Sequence, residues 1–351
     1  MDLLPIRDDL EVDLAPSGDN PAARHRFEPE QLMAINAALA ASRPLLVRGE
    51  PGIGKSQLAR AAAKALGRAF VQHVVDARTE ARDLQWHFDA VGRLAQAQVA
   101  GALHLNAAGA GEPAGADAVA TAIKALDERL AIRNFVQPRA LWWAFNWDSA
   151  QPQARAAGGH EPYQLDGGDW HRGCVVLIDE IDKAESDVPN GLLEALGAGR
   201  FMPPGLPEPV VAKGAPPLVV ITTNEERALP DAFIRRCLVL HLALPQTREG
   251  LVNKLMERGC THFRDQVTGD LKVASEVLET AAELLADDRA NAERHHWRPL
   301  PGQAEYLDLV RAVVTQAAGD MARQQALIDQ VATFVLKKHP DAARELSGSR
   351  A

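Results

Sequence analysis

Gly49-Glu50-Pro51-Gly52-Ile53-Gly54-Lys55-Ser56 is the stretch on which the reading of this chain turns. Its pattern is G-x-x-x-x-G-K-S. Glycines at this spacing let backbone N–H groups turn inward around an anion of several charges without steric crowding. Lys55 then supplies a point charge for the β and γ phosphates of a triphosphate, and Ser56 a hydroxyl for Mg²⁺. The flanks agree with this. Leu45-Leu46-Val47 is a short apolar run that fits a buried strand, and Ser56 to Leu66 is alanine-rich with Leu58, Ala62 and Leu66 on one face. Strand, loop and helix in that order point the helix N-terminus at the anion. The candidate nucleotide-binding residues are Gly49, Glu50, Pro51, Gly52, Ile53, Gly54, Lys55, Ser56 and Gln57, with ATP and Mg²⁺ as the expected ligands.

A chain of 351 residues with 46% hydrophobic residues can bury a full core, and its length fits two domains. A formal charge of −9 argues against a large nucleic-acid surface. No apolar run approaches the roughly 20 residues of a membrane helix. The stretch Met1 to Asp9 is acidic and lacks the apolar segment of a signal peptide. Cys174, Cys237 and Cys260 are widely spaced and form no C-x-x-C pair, so neither a disulfide framework nor a zinc site is expected. A soluble protein of the reducing cytoplasm is the default these features give.

Residues 1–26 are polar and rich in Pro and Asp, and read as an extended arm. A helix over Phe27 to Ala41 is expected from the spacing of Leu32, Ile35 and Leu39. Further strands are expected at Ala69–Asp76, Gly173–Asp179, Pro217–Thr223 and Cys237–Leu244. Such near-continuous Val, Leu and Ile runs belong to parallel strands covered on both faces, with helical crossovers between them. The fold class is therefore α/β, a parallel sheet over 27–246. A long insertion near 77–172 is expected to lack a strand, with a loop between two helices around Ala107 to Gly115. It holds Trp86, Trp142, Trp143, Trp147 and Trp170, which either pack it onto the core or anchor a subunit or partner contact. Over 247–338 the apolar residues recur at helical spacing: Leu251, Val252, Leu255 and Met256, then Val277, Leu278, Ala281, Leu284 and Leu285, and on through Val335. An all-helical domain is expected there, followed by a polar tail from His339.

Cys174-Val175-Val176-Leu177-Ile178-Asp179-Glu180 is a strand ending in two carboxylates. Ligands of open α/β sheets bind at the carboxyl ends of strands. Asp179 is the candidate to hold Mg²⁺ and Glu180 the candidate to polarise the attacking water, since phosphoryl transfer needs positioning and charge stabilisation above all. Thr222-Thr223-Asn224 ends the next strand, and the Asn224 amide can bond both the γ-phosphate and the water, although Asn is also an ordinary turn residue. Leu229-Pro230-Asp231-Ala232-Phe233-Ile234 leads to Arg235-Arg236. That pair is either a surface basic patch or the source of an arginine that enters a neighbouring subunit's nucleotide site. The choice between Arg235 and Arg236 is open.

This order of phosphate loop, Asp-Glu strand, strand-end Asn, arginine pair and helical domain resembles an AAA+ ATPase over roughly Phe27 to Lys338. Within that superfamily, Ile178-Asp179-Glu180-Ile181-Asp182-Lys183-Ala184, the Thr222-Thr223-Asn224 strand end and Leu229-Pro230-Asp231-Ala232 are most similar to the MoxR-like branch. The resemblance implies a P-loop core with a C-terminal helical lid, and a homo-oligomeric ring, commonly a hexamer, with each site completed by the next protomer. It also implies a nucleotide-sensing arginine in the lid, for which Arg298 is the candidate. Arg82 to Asp89 looks like the helix-2 insertion and Gly199 to Ala212 like a hairpin; no aromatic-valine-glycine pore loop is visible. The implied function is ATP-driven remodelling or activation of a protein partner, and family members often work with von Willebrand A-type partners. The alternatives are a nucleotide-controlled assembly switch in defence or signalling and, less favoured by charge, a nucleic-acid remodelling ATPase.

Overall fold

The computed structural model describes residues 3–16, 22–108, 116–265 and 269–339. In chain order the elements are β1 (Glu11–Leu14), β2 (Ala23–Arg26), α1 (Pro29–Ala41), β3 (Leu45–Gly49), α2 (Lys55–Leu66), β4 (Arg68–Val74), β5 (Trp86–Phe88), α3 (Ala90–Ala108), α4 (Ala116–Arg129), β6 (Val136–Pro138), α5 (Ala140–Phe145) and α6 (Trp147–Ala156). They continue with β7 (Asp169–Asp179), α7 (Asp187–Ala198), β8 (Arg200–Phe201), β9 (Val210–Val211), β10 (Leu218–Thr223), α8 (Asp231–Ile234), β11 (Leu238–Leu242), α9 (Arg248–His262), α10 (Ser275–Arg294), α11 (Gln303–Gln316) and α12 (Met321–Val335). The central sheet is parallel and five-stranded, in the order β11-β3-β10-β7-β4. The expected α/β class with a C-terminal helical region is what the chain forms. None of the described helices is long and apolar enough to cross a membrane.

The described residues fall into two compact units. One comprises 3–4, 33–46 and 62–239. Its sheet strands are apolar on both faces: all of Leu218 to Thr223 is buried, and so is β7 from Gly173 to Ile178. Their register pairs Leu218 with Val175 and Ile221 with Ile178, so Thr222 follows directly beside Asp179. β7 begins at Asp169, four residues before the expected Gly173, because the pairing with β4 shifts between Arg68 and Ala69. Arg68 faces Asp169 while Ala69 faces Cys174. The polar residues in that irregularity carry no apolar signal.

The insertion departs from expectation. It contains strands: β5 and β6 pair antiparallel, Trp86 with Pro138 and Phe88 with Val136. Three-residue strands are too short to register as a hydrophobic period. Residues 109–115 of the expected inter-helix loop lie outside the described residues. The tryptophans pack the core: Trp142, Trp143 and Trp147 are buried, and Trp86 and Trp170 lie against the same cluster. The indole N–H of Trp142 donates to Ser149 Oγ at 3.0 Å, and Asn146 caps α6 by accepting the Ser149 N–H at 3.1 Å. β8 and β9 form the expected hairpin, Arg200 opposite Val211. Cys174 and Cys237 are buried, which pushes their thiols up to about 12 and about 11, so neither is a nucleophile at neutral pH.

The other unit comprises 5–32, 47–61 and the residues from 240 onward. Within the segment read as an arm, β1 and β2 pair antiparallel with Glu11 opposite Arg26. The core of the unit is helical. Leu255, Val277, Leu278, Ala281, Leu285, Tyr306, Leu309, Val310 and Val313 are all fully buried, and the helical periods over 247–338 supply all of them but Tyr306 and Leu309. Thr247 caps α9, accepting the Gly250 N–H at 3.2 Å. Residues 340–351, most of the expected tail, lie outside the described residues.

Candidate functional site

The phosphate-loop residues lie in the second unit. Gly52 has φ of +75°, and a Cβ built on it would stand 2.6 Å from the Ala304 Cβ, so this position accepts glycine alone. Gly49 is equally constrained, since its Cβ would stand 2.4 Å from the Leu242 carbonyl oxygen. The cradle therefore depends on the absence of side chains, as a loop wrapped around phosphate requires. Lys55 opens α2 and is 6% exposed. Its Nζ donates to the Gly49 and Glu50 carbonyl oxygens at 2.7 and 2.8 Å, which holds the ammonium over the loop. Gln57 Nε2 donates to the Arg24 carbonyl oxygen at 3.4 Å.

A narrow cleft, with room for about 30 Å³, adjoins the loop in the same unit, lined among others by His25, Gln31, Gly54, Gln57 and Gln303. His25 is 6% exposed and its Nε2 has no hydrogen-bond partner. Burial, and then the Arg258 guanidinium, push its pKa down to about 3, so the ring is neutral at physiological pH. The segment carrying it is fixed to α9: Arg258 donates to the Arg26 carbonyl oxygen at 3.1 Å and to Glu28, and Lys254 pairs with Glu28 at 2.9 Å. The sequence reading missed this cleft, because His25 and Gln31 carry no motif and become neighbours only through the fold.

Arg298 is exposed in the turn before α11. Another arginine, unsignalled by any motif, reaches the phosphate loop. Arg289 on α10 is 8% exposed and forks onto Glu50, with Nη2 to Oε1 at 2.7 Å and Nη1 to Oε2 at 2.8 Å.

The acidic residues lie in the first unit, where β7 and β10 end side by side. Thr222 is fully buried. Its Oγ1 donates to Asp179 Oδ1 at 2.5 Å and accepts the Glu180 N–H at 2.9 Å. Glu180 sits in the left-handed region, φ 60° and ψ 48°, which costs a non-glycine residue roughly 1–2 kcal/mol. The Thr222 bond helps hold that conformation. The Glu180 carboxylate is gripped from two directions: Asn224 Nδ2 donates to Oε1 at 3.2 Å, and Lys183 Nζ pairs with Oε2 at 2.5 Å. Glu180 in turn holds the Lys183 ammonium above its ordinary pKa. Asp182 is 2% exposed and accepts the Glu226 N–H at 2.9 Å and, more weakly, the Asn224 N–H at 3.4 Å. It fixes the loop that presents Asn224. The structure thus brings Asp179, Glu180 and Asn224 together and adds Thr222, Asp182 and Lys183.

Arg235 and Arg236 follow α8, with exposed side chains and a fixed backbone. Phe233 beneath them is fully buried. Arg43 donates to both of their carbonyl oxygens, at 3.0 Å to that of Arg236 and through Nη2 to that of Arg235. The pair is presented to solvent on a rigid corner.

The donor chemistry fits Mg²⁺. Asp179 in the first unit and Ser56 in the second each offer a hard oxygen atom of the kind Mg²⁺ takes in nucleotide sites. Among the described residues no group of three or more His, Cys, Asp and Glu is placed to hold a metal by itself.

Residues 44–237 match the model of the AAA domain, dynein-related subfamily. No curated protein matches the chain. Among solved structures, a RuvB mutant from Thermotoga maritima is similar at 14% identity and a TM-score of 0.42, covering 90% of this chain and 71% of that one. A candidate ATPase from Cytophaga hutchinsonii is similar at 14% identity and a TM-score of 0.34, covering 90% and 83%. The matched family model spans more than half of the chain and contains the phosphate loop, the acidic strand end and the strand-end Asn. The chain belongs to the AAA domain family, dynein-related subfamily, and is an ATP hydrolase.

Proposed function

We propose that the chain is a ring-forming AAA+ ATPase of the MoxR-like branch that couples Mg-ATP hydrolysis to remodelling or activation of a protein partner. The loop from Gly49 to Gln57 binds the polyphosphate through backbone N–H groups and Lys55. Asp179 and Ser56 are the residues that would hold Mg²⁺, which would neutralise charge on the phosphates. Glu180 orients the attacking water and accepts its proton, and Asn224 fixes the Glu180 carboxylate while bonding the water or the γ-phosphate. Arg235 or Arg236 is lent to the neighbouring copy, where a guanidinium stabilises charge on the transferring phosphoryl group.

One observation carries the hydrolytic reading: the hydrogen-bonded group Asp179, Thr222, Glu180 and Asn224 at the ends of two adjacent strands. Their exposed side chains on a fixed backbone support Arg235 and Arg236 acting outward, and outward action implies a homo-oligomer, a hexamer by resemblance. The branch assignment rests on Ile178 to Ala184, Leu229 to Ala232 and the β8–β9 hairpin. A protein client, of which a von Willebrand A-type domain is the class the resemblance implies, follows from the branch, as does a cytoplasmic location. The test is steady-state ATP turnover measured with particle mass. Wild-type turnover from an oligomer, lost in Glu180→Gln, is expected; full turnover from a strict monomer would refute the shared site.

A further inference from the structure

The phosphate loop carries an acidic residue, Glu50, among the backbone N–H groups that gather the anion. A carboxylate there bears the same sign as the ligand, and like charges repel more strongly as the ligand gains charge. We propose that Arg289 is the counter-ion that neutralises Glu50, and that through this pairing it sets how strongly the chain prefers a triphosphate to a diphosphate. The proposal rests on the nucleotide reading above.

The geometry favours a fixed counter-ion over a mobile sensor. The two bonds to Glu50, at 2.7 and 2.8 Å, form the bidentate fork that only arginine makes with a carboxylate. Nη1 also donates to the Pro301 carbonyl oxygen at 3.0 Å, and Nε meets Glu293 Oε1 at 3.3 Å. The guanidinium is held on three sides, and the residue is 8% exposed. Pro301 leads into Gly302, whose N–H is capped by Glu305 at 2.9 Å, and then to Ala304 against Gly52. Arg289 therefore fixes both the charge of the loop and the turn on which the loop rests. It acts through Glu50 and is a positioning residue.

Equilibrium titration of the full chain with ATP and with ADP, each with Mg²⁺, tests this, with circular dichroism to confirm folding. Arg289→Gln is expected to weaken ATP binding about tenfold and ADP binding about threefold, since the unpaired Glu50 acts on a larger charge in ATP. Both losses shrink as salt rises. Adding Glu50→Gln to Arg289→Gln is expected to recover most of the ATP affinity. Equal losses for the two nucleotides, or no recovery in the double variant, would overturn the proposal, because a purely structural role leaves the ATP-to-ADP ratio unmoved. If Arg289→Gln does not fold, Glu50→Gln alone is expected to raise that ratio, and an unchanged ratio overturns the proposal. A wild-type chain that binds neither nucleotide refutes the function reading instead. Wild-type binding that Lys55→Ala abolishes upholds that reading whatever Arg289 does.

Discussion

Replacing Thr222 by valine keeps the shape of the side chain and removes its hydroxyl. In the structure that hydroxyl has two jobs: it accepts the Glu180 N–H at 2.9 Å and donates to Asp179 Oδ1 at 2.5 Å. Thr222 is fully buried, so water cannot take over readily. The orphaned N–H costs about 1–3 kcal/mol and the lost bond to a charged group about 1.5–3 kcal/mol. Some of this is recovered if Glu180 relaxes out of its left-handed conformation. A net loss of about 3 kcal/mol in unfolding free energy is expected. Relaxation of Glu180 also misplaces the carboxylate, and about 2 kcal/mol of lost positioning corresponds to about thirtyfold in kcat. Thr222→Ser is the control: it keeps both bonds and gives up a buried methyl worth about 1 kcal/mol. The assay is urea unfolding of both variants beside steady-state ATP turnover. If the valine variant matches the serine variant in stability and kcat, the hydroxyl is not the keystone of the acidic group and the reasoning fails.

Other outcomes follow from the same geometry. His25 has a folded pKa of about 3 against an ordinary 6.5, so below pH 6.5 the unfolded chain takes up a proton that the folded chain refuses. Its contribution to stability is full above pH 6.5 and declines as pH falls toward 3, by up to about 1.4 kcal/mol per pH unit. Urea unfolding at pH 7 and pH 5 is expected to show a shallower pH dependence in His25→Gln than in the wild type. Gly52→Ala places a methyl 2.6 Å from the Ala304 Cβ at φ of +75°, and is expected to weaken ATP binding at least tenfold by titration. Alanine at both Arg235 and Arg236 is expected to lower kcat by about 10³-fold while ATP affinity stays within about threefold.

Much of the fold was legible because the signals were periodic and long. The four aliphatic residues before Asp179, the run Leu218 to Ile221 and the helical spacing over 247–338 each define an element by repetition. The phosphate loop was legible because its chemistry permits few sequences. What escaped was short or non-local. β5 and β6 are three residues each and exist only as a pair. Thr222 was visible as a strand end, yet its role depends on the register that sets it beside Asp179. Arg289 lies 239 positions from Glu50, and an isolated arginine on a helix face looks like any solvated charge until its partner is known. Asp182 and Lys183 were read as part of a family pattern, and only geometry shows one fixing the loop under Asn224 and the other gripping Glu180.

In the proposed ring, one copy binds the triphosphate while an arginine of the next assists its cleavage. Mixing two inactive variants tests it most directly. Glu180→Gln keeps its arginines and lacks the carboxylate proposed to orient water; the Arg235→Ala, Arg236→Ala variant keeps Glu180 and lacks the arginines. ATP turnover is measured for each alone and after equal mixing with subunit exchange. Recovery of turnover that neither variant has alone is predicted. A mixture no more active than the sum of its parts would contradict the account.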